Sequence, residues 1–553
     1  MSDLTLTETP TWWKETVFYQ IYPRSFADSN GDGIGDLRGI TSKLEYLQQL
    51  GISGLWISPI YASPKDDNGY DISDYLAIDP DYGTLEDFFA LSSELKRRGM
   101  RLILDQVLNH TSDEHPWFIE SRSSRTNPKR DWYLWVDAKG RDAAGKPLRP
   151  NNWKCAFEGP TWEWDETTEQ FYLHLFAKKQ PDLNWANPEV RSALYDVLRT
   201  WVDRGVDGFR LDAIDVIAKP EGYPDVPAPE GSTAEILPLN ERACNHPPVH
   251  EYLREMYREV FAGKDLYAVG ETWMIGPENT LDFTGYDSGK LHAGFYFYFH
   301  WAPTGREQFE NFYKLYQASW GRGWLTVTLG NHDSRRILSK FGDPTNHRHA
   351  SATLLATWLL TLPATPFLFQ GDELGLSDMT FDTIEDYRDI MTVNRYHTAI
   401  SEGKAAEDAL NSVRGDSRDN SRTPIPWGEG IGAGFSTGEP WMKVAEVHRA
   451  HHAEGALQDP HSIFHGYAAL LRLREQYRSL VYGDLTPLVE PGKIIAYRRG
   501  AWEGHPAINV VLNWSSELQS WPVTAPAQPP LYANYSAVQT DGLRPWEAVI
   551  FLA

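Results

Sequence analysis

Residues 188–214 decide the fold, and they read PEVRSALYDVLRTWVDRGVDGFRLDAI. The first part repeats apolar residues at helical spacing, and the end, GFRLDAI, is a short apolar run typical of a parallel strand buried on both faces. Similar candidate strands lie at 17–23, 54–60, 101–108, 208–214, 266–271, 294–299, 325–331 and 366–371. Helical segments separate most of them. This alternation predicts an α/β fold, a (β/α)8 TIM barrel.

Two parts of the chain depart from this alternation. The stretch after the third strand is rich in Trp, Pro, Asn and charge, which predicts an inserted loop domain. Near the C-terminus, short strands separated by Gly, Pro and Asn predict an antiparallel β-domain. The predicted domains are a catalytic barrel at 1–110 and 176–480, an inserted domain at 111–175 and a C-terminal β-domain at 481–553.

The composition limits the partners and the location of the protein. The 553 residues carry a formal charge of −24 at pH 7. This charge argues against nucleic acid or an anionic membrane as a partner, since both bind basic patches of a protein surface.

The uncharged run at 350–371 is long enough to span a bilayer, but Pro363 and Pro366 interrupt it, so we expect a buried helix followed by a buried strand. The first residues contain no apolar signal-peptide core, and we expect a cytoplasmic protein.

Carboxylates stand at the ends of three predicted strands. Asp212 lies near the end of the fourth, Glu271 is the last residue of the fifth, and Asp333 follows the seventh. Because the functional residues of such a barrel lie at the C-terminal ends of its strands, we expect the three to meet. Retaining glycoside cleavage uses two carboxyl groups about 5–5.5 Å apart, one as nucleophile and one as acid and base. Arg210 faces the same side of its strand as Asp212 and is expected to keep that carboxylate ionised.

These segments resemble, in chain order, the signature regions of glycoside hydrolase family 13, the α-amylase family, over almost the whole chain. The resemblance implies that Asp212 is the nucleophile, Glu271 the general acid/base and Asp333 the third carboxylate, which favours the oxocarbenium-like state. It also implies that His110 and His332 bind hydroxyl groups of the sugar whose bond is cleaved. A high content of aromatic residues, 13%, suits a sugar ligand.

Further segments are similar to those of the oligo-1,6-glucosidase-like α-glucosidases within this family. The matching segments are DNGYD at 67–71, QPDLN at 180–184 and SRDNSRTP at 417–424. The resemblance implies that Asp67 grips the terminal glucose, that Tyr70 stacks under it and that Arg418 pairs with Asp67. A pocket closed in this way implies exo action, in which one glucose leaves from a non-reducing end.

The first loop, DSNGDGIGD at 28–36, places oxygen atoms at alternating positions, like the first part of an EF-hand calcium loop. The candidate ligands are Asp28, Asn30, Asp32, the carbonyl of Ile34, and Asp36. Gly39 stands where an EF-hand has its bidentate Glu, and a metal-free turn is the alternative. The resemblance includes this loop and implies a structural Ca²⁺, with Mg²⁺ less suitable. No organic cofactor is expected.

We therefore expect a glycoside hydrolase, a retaining exo-acting α-glucosidase that hydrolyses disaccharides or short oligosaccharides by double displacement. Ala213 follows the nucleophile, and in the subgroup a small residue there accompanies α-1,4 or mixed α-1,4/α-1,6 preference; we expect it to open space beside the cleaved bond. Sucrose is a further candidate substrate. The alternative is a glucosyl-transferring or isomerising enzyme, similar to sucrose isomerases, trehalose synthases or transglycosylating α-glucosidases. An inactive relative is disfavoured, and the oligomeric state is not predicted.

Overall fold

Eight parallel strands form one sheet in the computed structural model, which describes residues 8–553 apart from 233, 239–243, 274 and 298–300. The strands are β1 Phe18–Ile21, β2 Gly54–Ile57, β3 Arg101–Val107, β4 Gly208–Asp212, β5 Tyr267–Thr272, β6 Ala293–Tyr296, β7 Thr326–Val327 and β8 Thr365–Phe369. Their order in the sheet is β6-β5-β4-β3-β2-β1-β8-β7. The Thr326 hydroxyl donates to the Gly294 carbonyl at 2.6 Å, so β7 meets β6 and the barrel closes.

The predicted barrel is thus confirmed, although the last two residues of the predicted sixth strand lie outside the described residues. The principal helices after successive strands are α1 Leu44–Leu50, α2 Leu85–Arg97, α3 Pro188–Asp203, α4 Pro248–Met256, α5 Thr280–Thr284, α6 Gly305–Ser319, α7 Arg348–Thr361 and α8 Ile463–Gln476. The sequence explains α3 well. Asn187 caps it by accepting the N–H of Glu189, and Pro188 suits a first turn. The apolar side chains of α3, including Leu194 and Trp201, are buried.

The uncharged run at 350–371 forms a buried helix, α7, followed by the buried strand β8, as predicted. Residues 350–361 of α7 are all buried, because this helix lies between the barrel and the C-terminal domain. Every helix in the described part of the chain is too short or too polar to cross a membrane.

Aromatic rings fill the barrel below the site. Phe18 stacks on Phe367 with ring centroids 4.8 Å apart, Phe295 meets Phe367 at 4.7 Å, and Trp56 stacks on Phe295 at 5.3 Å. The indole N–H of Trp56 donates to Asp105 Oδ2 at 3.1 Å. Large buried rings contribute much of a core's stability. This layer therefore forms a rigid floor under the polar residues at the top of the barrel.

Four smaller sheets accompany the barrel in the described part of the chain, and the two larger of them lie in the inserted segment and near the C-terminus. The inserted segment holds the antiparallel strands Trp135–Val136, Trp162–Asp165 and Gln170–Leu173. The C-terminal antiparallel sheet consists of β9 Leu485–Pro487, β10 Ile494–Arg499, β11 Ile508–Asn513, β12 Tyr532–Ala533 and β13 Ala548–Leu552. Asn534 donates from Nδ2 to the Ala350 carbonyl at 2.9 Å, which ties this sheet to the start of α7. The inserted segment, by contrast, borders the mouth of the barrel.

Candidate active site

The three predicted carboxylates meet at the C-terminal end of the barrel and line one cavity of about 270 Å³. Asp212 is the last residue of β4, Glu271 is the last but one of β5, and Asp333 follows β7. The Arg210 guanidinium is buried and contacts Asp212 Oδ1 at 2.7 Å and Glu271 Oε1 at 2.8 Å. One side chain thus holds both carboxyl groups, an arrangement suited to the short separation that retaining cleavage needs.

Arg210 also contacts a third carboxylate, Asp105 Oδ1, at 2.8 Å. Asp105 in turn accepts the Tyr70 hydroxyl at 3.0 Å as well as the Trp56 indole. Asp105 is fully buried, and it positions Arg210 and Tyr70 through these contacts. The polar cluster therefore stands directly on the aromatic floor of the barrel.

The charge balance of this cluster differs from the sequence-based expectation for Asp212. Burial raises the pKa of Asp212, Arg210 lowers it, and Glu271, Asp105 and Asp333 raise it again, so that it lies well above its usual value. The expected contact with Arg210 is present. The guanidinium, however, is shared among three carboxylates, and the contact alone does not keep Asp212 ionised at low pH.

This raised pKa predicts an early loss of activity in acid. Protonated Asp212 is no nucleophile, so kcat/KM should fall as the pH drops through a value above the ordinary Asp range of about 3.9. The fold should persist further. Burial raises the pKa of Asp389, but Arg418 and Arg422 lower it to about 2. A carboxylate with a depressed pKa stabilises the fold above its unfolded pKa and loses this effect only as the pH falls through the folded value.

The measurement is a profile of kcat/KM against pH, with circular dichroism recorded on the same samples. We expect the activity midpoint to lie at a clearly higher pH than the unfolding midpoint. Coincident midpoints, or an activity midpoint below about pH 4, would contradict the raised pKa of Asp212.

The inner end of the cavity is closed by a pair that the sequence predicts. Arg418 Nη2 lies 2.9 Å from Asp67 Oδ1, and the same guanidinium contacts Asp333 at 3.1 Å and Asp389 at 2.7 Å. Arg422 Nη2 adds a contact to Asp333 at 2.8 Å. Asp389 and Arg422 are not among the predicted site residues. Arg422 belongs to the quoted SRDNSRTP segment, whereas no local pattern marks Asp389.

The electrostatics of Asp333 are opposite to those of Asp212. Burial raises its pKa, but His332, Arg418 and Arg422 outweigh burial and hold the pKa of Asp333 well below its usual value. His332 Nε2 lies 3.1 Å from Asp333 Oδ2. Two arginines on one carboxylate keep it negative. The site therefore presents a permanent anion, Asp333, close to a carboxyl group that is easier to protonate, Asp212.

The two predicted histidines, His110 and His332, lie in different surroundings. His110 Nε2 lies 3.2 Å from Gln180 Nε2, and burial lowers the pKa of His110 to about 4. It is neutral at pH 7 and can bind a sugar hydroxyl without adding charge. His332 Nδ1 lies 2.8 Å from Gln20 Nε2, and its ring stacks on Tyr70 with centroids 5.0 Å apart. Tyr70 also lines the cavity, as expected for a residue that packs against the sugar.

The rest of the cavity is bounded by apolar side chains, which we call the apolar wall. Its members are Ala156, Phe157, Phe176, Trp273, Phe297, Trp301 and Met391. None of them is a predicted site residue, since they come from several separate segments. Their only shared signal is the high aromatic content of the chain.

Ala213 has a different role from the expected one. Its side chain is fully buried, so its small size does not open space beside the cleaved bond. The backbone of Ala213 adopts φ 43° and ψ 39°, a left-handed conformation that is uncommon outside glycine. In this turn its N–H donates to Glu271 Oε2 at 2.9 Å. Ala213 therefore acts on the second carboxylate through its backbone.

The predicted metal loop lies outside this cavity. Asp28 Oδ1 accepts the N–H of Asn30, Asn30 Oδ1 accepts that of Asp32, and Asp32 Oδ1 accepts that of Ile34. Asp36 caps the following helix by accepting the Gly39 N–H at 2.7 Å, and it also accepts the Ser29 N–H of the loop at 2.9 Å. Carboxylate, amide and carbonyl oxygens on such turns are the donor types that Ca²⁺ takes. Among the described residues, no three His, Cys, Asp or Glu side chains are grouped as metal ligands.

The comparisons with known proteins agree with the geometry. The family described as alpha amylase, catalytic domain, matches residues 20–483. The oligo-1,6-glucosidase of Parageobacillus thermoglucosidasius is 42% identical over 98% of this chain and 98% of its own length. The α-glucosidase of Pediococcus pentosaceus is 41% identical, with 98% coverage of both.

Solved structures of similar proteins include sugar-isomerising enzymes. The isomaltulose synthase of Erwinia rhapontici NX5 has a TM-score of 0.91 and 39% identity, and the match covers 99% of each chain. A mutant of that enzyme was solved in complex with its natural substrate sucrose, again with a TM-score of 0.91. The match extends over the barrel, the inserted segment and the C-terminal sheet of this chain.

Proposed function

Because the chain belongs to the α-amylase family and is similar over 98% of its length to oligo-1,6-glucosidases, we propose that it is a retaining exo-acting α-glucosidase. It is a glycoside hydrolase, and its substrates are small α-glucosides. The observation that carries the proposal is the cavity in which one guanidinium holds Asp212 and Glu271 while Arg418 and Asp67 close the inner end.

The first step forms a covalent intermediate. A terminal glucose enters the closed end, where Asp67, Arg418 and His110 offer partners to its hydroxyl groups. Asp212 attacks the anomeric carbon while Glu271 gives its proton to the leaving oxygen, so that the glycosidic bond breaks and a glucosyl ester forms. The fixed negative charge of Asp333 favours the oxocarbenium-like transition state, because its charge is already in place.

The second step repeats this chemistry with water. Glu271, now a carboxylate, takes a proton from the water that attacks the anomeric carbon, and the ester bond to Asp212 breaks. The two inversions restore the α configuration, and both carboxyl groups return to their starting states. Since the Asp67–Arg418 pair blocks the inner end, one glucose is released per cycle.

Product analysis by NMR tests the proposal. The protein is incubated separately with maltose, isomaltose, sucrose and trehalose, and the first anomer released is recorded. We expect α-glucose from maltose or isomaltose, or from both. β-Glucose as the first product, or no cleavage of any α-glucoside, would overturn the proposal.

One observation favours a second candidate, an isomerising enzyme. The isomaltulose and trehalulose synthases have TM-scores of 0.91 with 38–40% identity to this chain. The same NMR experiment separates the two. A new disaccharide that forms from sucrose faster than free glucose would favour isomerisation, whereas glucose and fructose in equal amounts favour hydrolysis.

We also propose that the loop at 28–36 binds a structural Ca²⁺, with Mg²⁺ as the weaker alternative. Chelation by EDTA should then lower the melting temperature by about 2–5 °C, and added Ca²⁺ should restore it. Asp32→Ala should remove this response. Asp142→Ala is the matched control, since Asp142 is also an exposed Asp whose side chain closes a turn, by accepting the Ala144 N–H at 2.9 Å. An unchanged melting temperature and no bound metal by elemental analysis would contradict the proposal.

The cytoplasmic location, and the lack of a nucleic-acid or membrane partner, stay predictions. The formal charge of −24 supports the second of these.

A further inference from the structure

A second cavity, of about 390 Å³, lies where the helices α7 and α8 begin, and we call it the basic cavity. Its charged and titratable lining residues are Arg348, His349, Glu373, His451, His452, Asp459 and His461. Among the described residues, none lines both this cavity and the catalytic one. In a chain with a formal charge of −24, an arginine and several histidines around one cavity call for a physical reason.

Arg348 is a half-buried cation without an acidic partner. Burial lowers the pKa of Arg348 to about 10, and no carboxylate in the described part of the chain offsets this effect. Its Nη2 donates to the Leu374 carbonyl, while its Nε is buried without a hydrogen-bond partner in that same part. A buried charge is costly unless it is paired. The guanidinium can therefore still bind an anion.

Another buried arginine shows how the fold meets this cost where no ligand is needed. Burial lowers the pKa of Arg474 as well, to about 9, and no carboxylate in the described ranges offsets it. Its guanidinium donates to four backbone carbonyls, those of Leu360, Leu362, Ala364 and Leu480. Arg348 has one such bond within the described residues. The fold thus satisfies Arg474 but leaves Arg348 with unused hydrogen-bond donors.

The histidines of the basic cavity supply neutral donors. Burial and the charge of Arg348 lower the pKa of His451 to about 4, and both effects also lower the pKa of His349. The two rings are therefore neutral at pH 7. His452 Nδ1 accepts the Gly455 N–H at 3.1 Å, which places the proton of the neutral ring on Nε2. Such N–H groups can donate to an anion.

The N-termini of two long helices border the same cavity. Arg348 and His349 are the first residues of α7, and no side chain of the described residues caps this helix. Ser462 and Ile463 lie at the start of α8 and also line the cavity. The first N–H groups of a helix carry partial positive charge and bind anions, phosphate groups in particular. The start of α7 therefore adds to the attraction of Arg348.

The two carboxylates of the basic cavity compete little for Arg348. Glu373 is buried, and its Oε1 accepts the hydroxyls of Tyr19 and Tyr46 at 3.0 and 2.8 Å while Oε2 accepts a backbone N–H at 3.1 Å. Both oxygens are thus engaged within the fold. Asp459 is exposed, so water and salt screen its charge. An anion beside the guanidinium would meet a net attraction.

The chemistry and size of the basic cavity favour one class of anion. A guanidinium can hold a phosphate group through two parallel N–H bonds, and a helix N-terminus can donate to its other oxygens. The cavity of about 390 Å³ is larger than the catalytic cavity, which at about 270 Å³ is expected to hold one glucose. It therefore has room for a phosphate group together with a group of sugar size.

We propose that the basic cavity binds a phosphate monoester of a small molecule such as a sugar, with the phosphate group on Arg348 and the start of α7. The neutral histidines bind the remaining phosphate oxygens or the hydroxyl groups of the ester. This binding site does not depend on the reaction proposed above. Arg348 also contacts the turn after β8 through Leu374, so we expect the bound ligand to stabilise that turn against unfolding.

Calorimetry of the full-length protein tests the proposal at pH 7 in a constant background of sodium chloride. The protein is titrated with inorganic phosphate and with glucose 6-phosphate, each in the presence of enough glucose to occupy the catalytic cavity. We expect glucose 6-phosphate to bind at least about threefold more tightly than inorganic phosphate, because the cavity also contacts its sugar. Glucose 6-phosphate should also raise the melting temperature under the same conditions.

Variants link the binding to these residues. Arg348→Met should weaken the binding of both phosphates by about 10- to 100-fold, since a charge-assisted hydrogen bond is lost. Without ligand, this variant should melt within about 3 °C of the wild type or above it, because an unpaired half-buried charge stabilises the fold little. His451→Leu should weaken binding by about three- to tenfold.

Arg478→Met is the matched control. The Arg478 side chain is 43% exposed, pairs with Glu15 at 3.2 Å and does not line the basic cavity. This change removes the same charge from a half-buried arginine that already has an acidic partner. It should leave both phosphate affinities unchanged.

Each possible failure has a separate meaning. Equal affinities for inorganic phosphate and glucose 6-phosphate would overturn the monoester as the ligand. No binding of either at about 10 mM, or wild-type affinity in Arg348→Met, would overturn the site itself. A large fall in the melting temperature of the unliganded Arg348→Met protein would show that Arg348 serves the fold. Maltose cleavage should persist in Arg348→Met, so none of these failures would touch the proposed α-glucosidase function.

Discussion

Replacement of Asp212 by Asn should lower kcat/KM for maltose by about 10⁴- to 10⁶-fold, because no covalent ester can form without a carboxylate nucleophile. The substitution preserves shape, and the amide oxygen that replaces the carboxylate can still accept from Arg210. The inner end of the cavity, with Arg418 and Asp67, is untouched by this change. We therefore expect glucose to bind with nearly unchanged affinity, as measured by calorimetry.

Asp196→Asn is the control for this variant. Asp196 lies on α3 with its side chain 70% exposed, and its partner is Arg199 on the same helix. This change should leave kcat/KM as it is. Retention of more than about one hundredth of wild-type activity by Asp212→Asn, with the amide verified by mass spectrometry, would exclude Asp212 as the nucleophile.

Replacement of Glu271 by Gln should slow cleavage selectively for substrates whose leaving group must be protonated. For maltose, whose sugar leaving group is poor, we expect kcat to fall by about 10²- to 10⁴-fold. For α-glucosyl fluoride, whose leaving group departs without protonation, formation of the glucosyl ester should be nearly unaffected. The second step should then become limiting, since no carboxylate remains to take the proton from water.

A burst experiment measures this difference. Fluoride release should show a rapid phase equal to the enzyme concentration, followed by slow turnover, and added azide should speed the slow phase because it needs no general base. Equal losses for maltose and the fluoride would show that Glu271 serves binding or folding rather than proton transfer. Glu271 contacts Arg210 through Oε1 and the Ala213 N–H through Oε2, and the single amide oxygen of Gln can keep one of these two contacts. Unchanged formation of the glucosyl ester from the fluoride shows that the lost contact does not cause the effect on maltose.

The sequence predicts the fold and the principal acids well because their signals are local. Apolar runs mark the strands, and carboxylates at their ends must meet once the barrel closes. The sequence also predicts the Arg418–Asp67 contact, although the two residues are 351 positions apart, since both belong to recognisable segments. For Asp389 there is no such segment, and only the fold brings it to Arg418.

Other features of the site depend on packing, or on one cation that several carboxylates share, and no local sequence pattern predicts them. The apolar wall combines residues from the inserted segment, from loops after β5 and β6, and from the helix Ile390–Ser401. The raised pKa of Asp212 arises mainly from burial, together with the neighbouring carboxylates, which the shared Arg210 does not offset. The buried position of Ala213 depends on its left-handed turn. The metal loop remains a sequence-based prediction, since no bound ion tests it.

The closure of the pocket by Arg418 and Arg422 has a consequence for the newly made chain. Asp333 and its partner Arg422 are 89 residues apart, so the ribosome completes Asp333 well before the arginines that neutralise it. At roughly 5–20 residues per second, this interval lasts about 4 to 18 s. During that time Asp333 lacks both arginines, whereas Asp212 and Glu271 already have Arg210 as their partner. Synthesis thus produces the reactive groups first and the glucose-sized pocket last, which delays activity until the chain beyond residue 422 has docked.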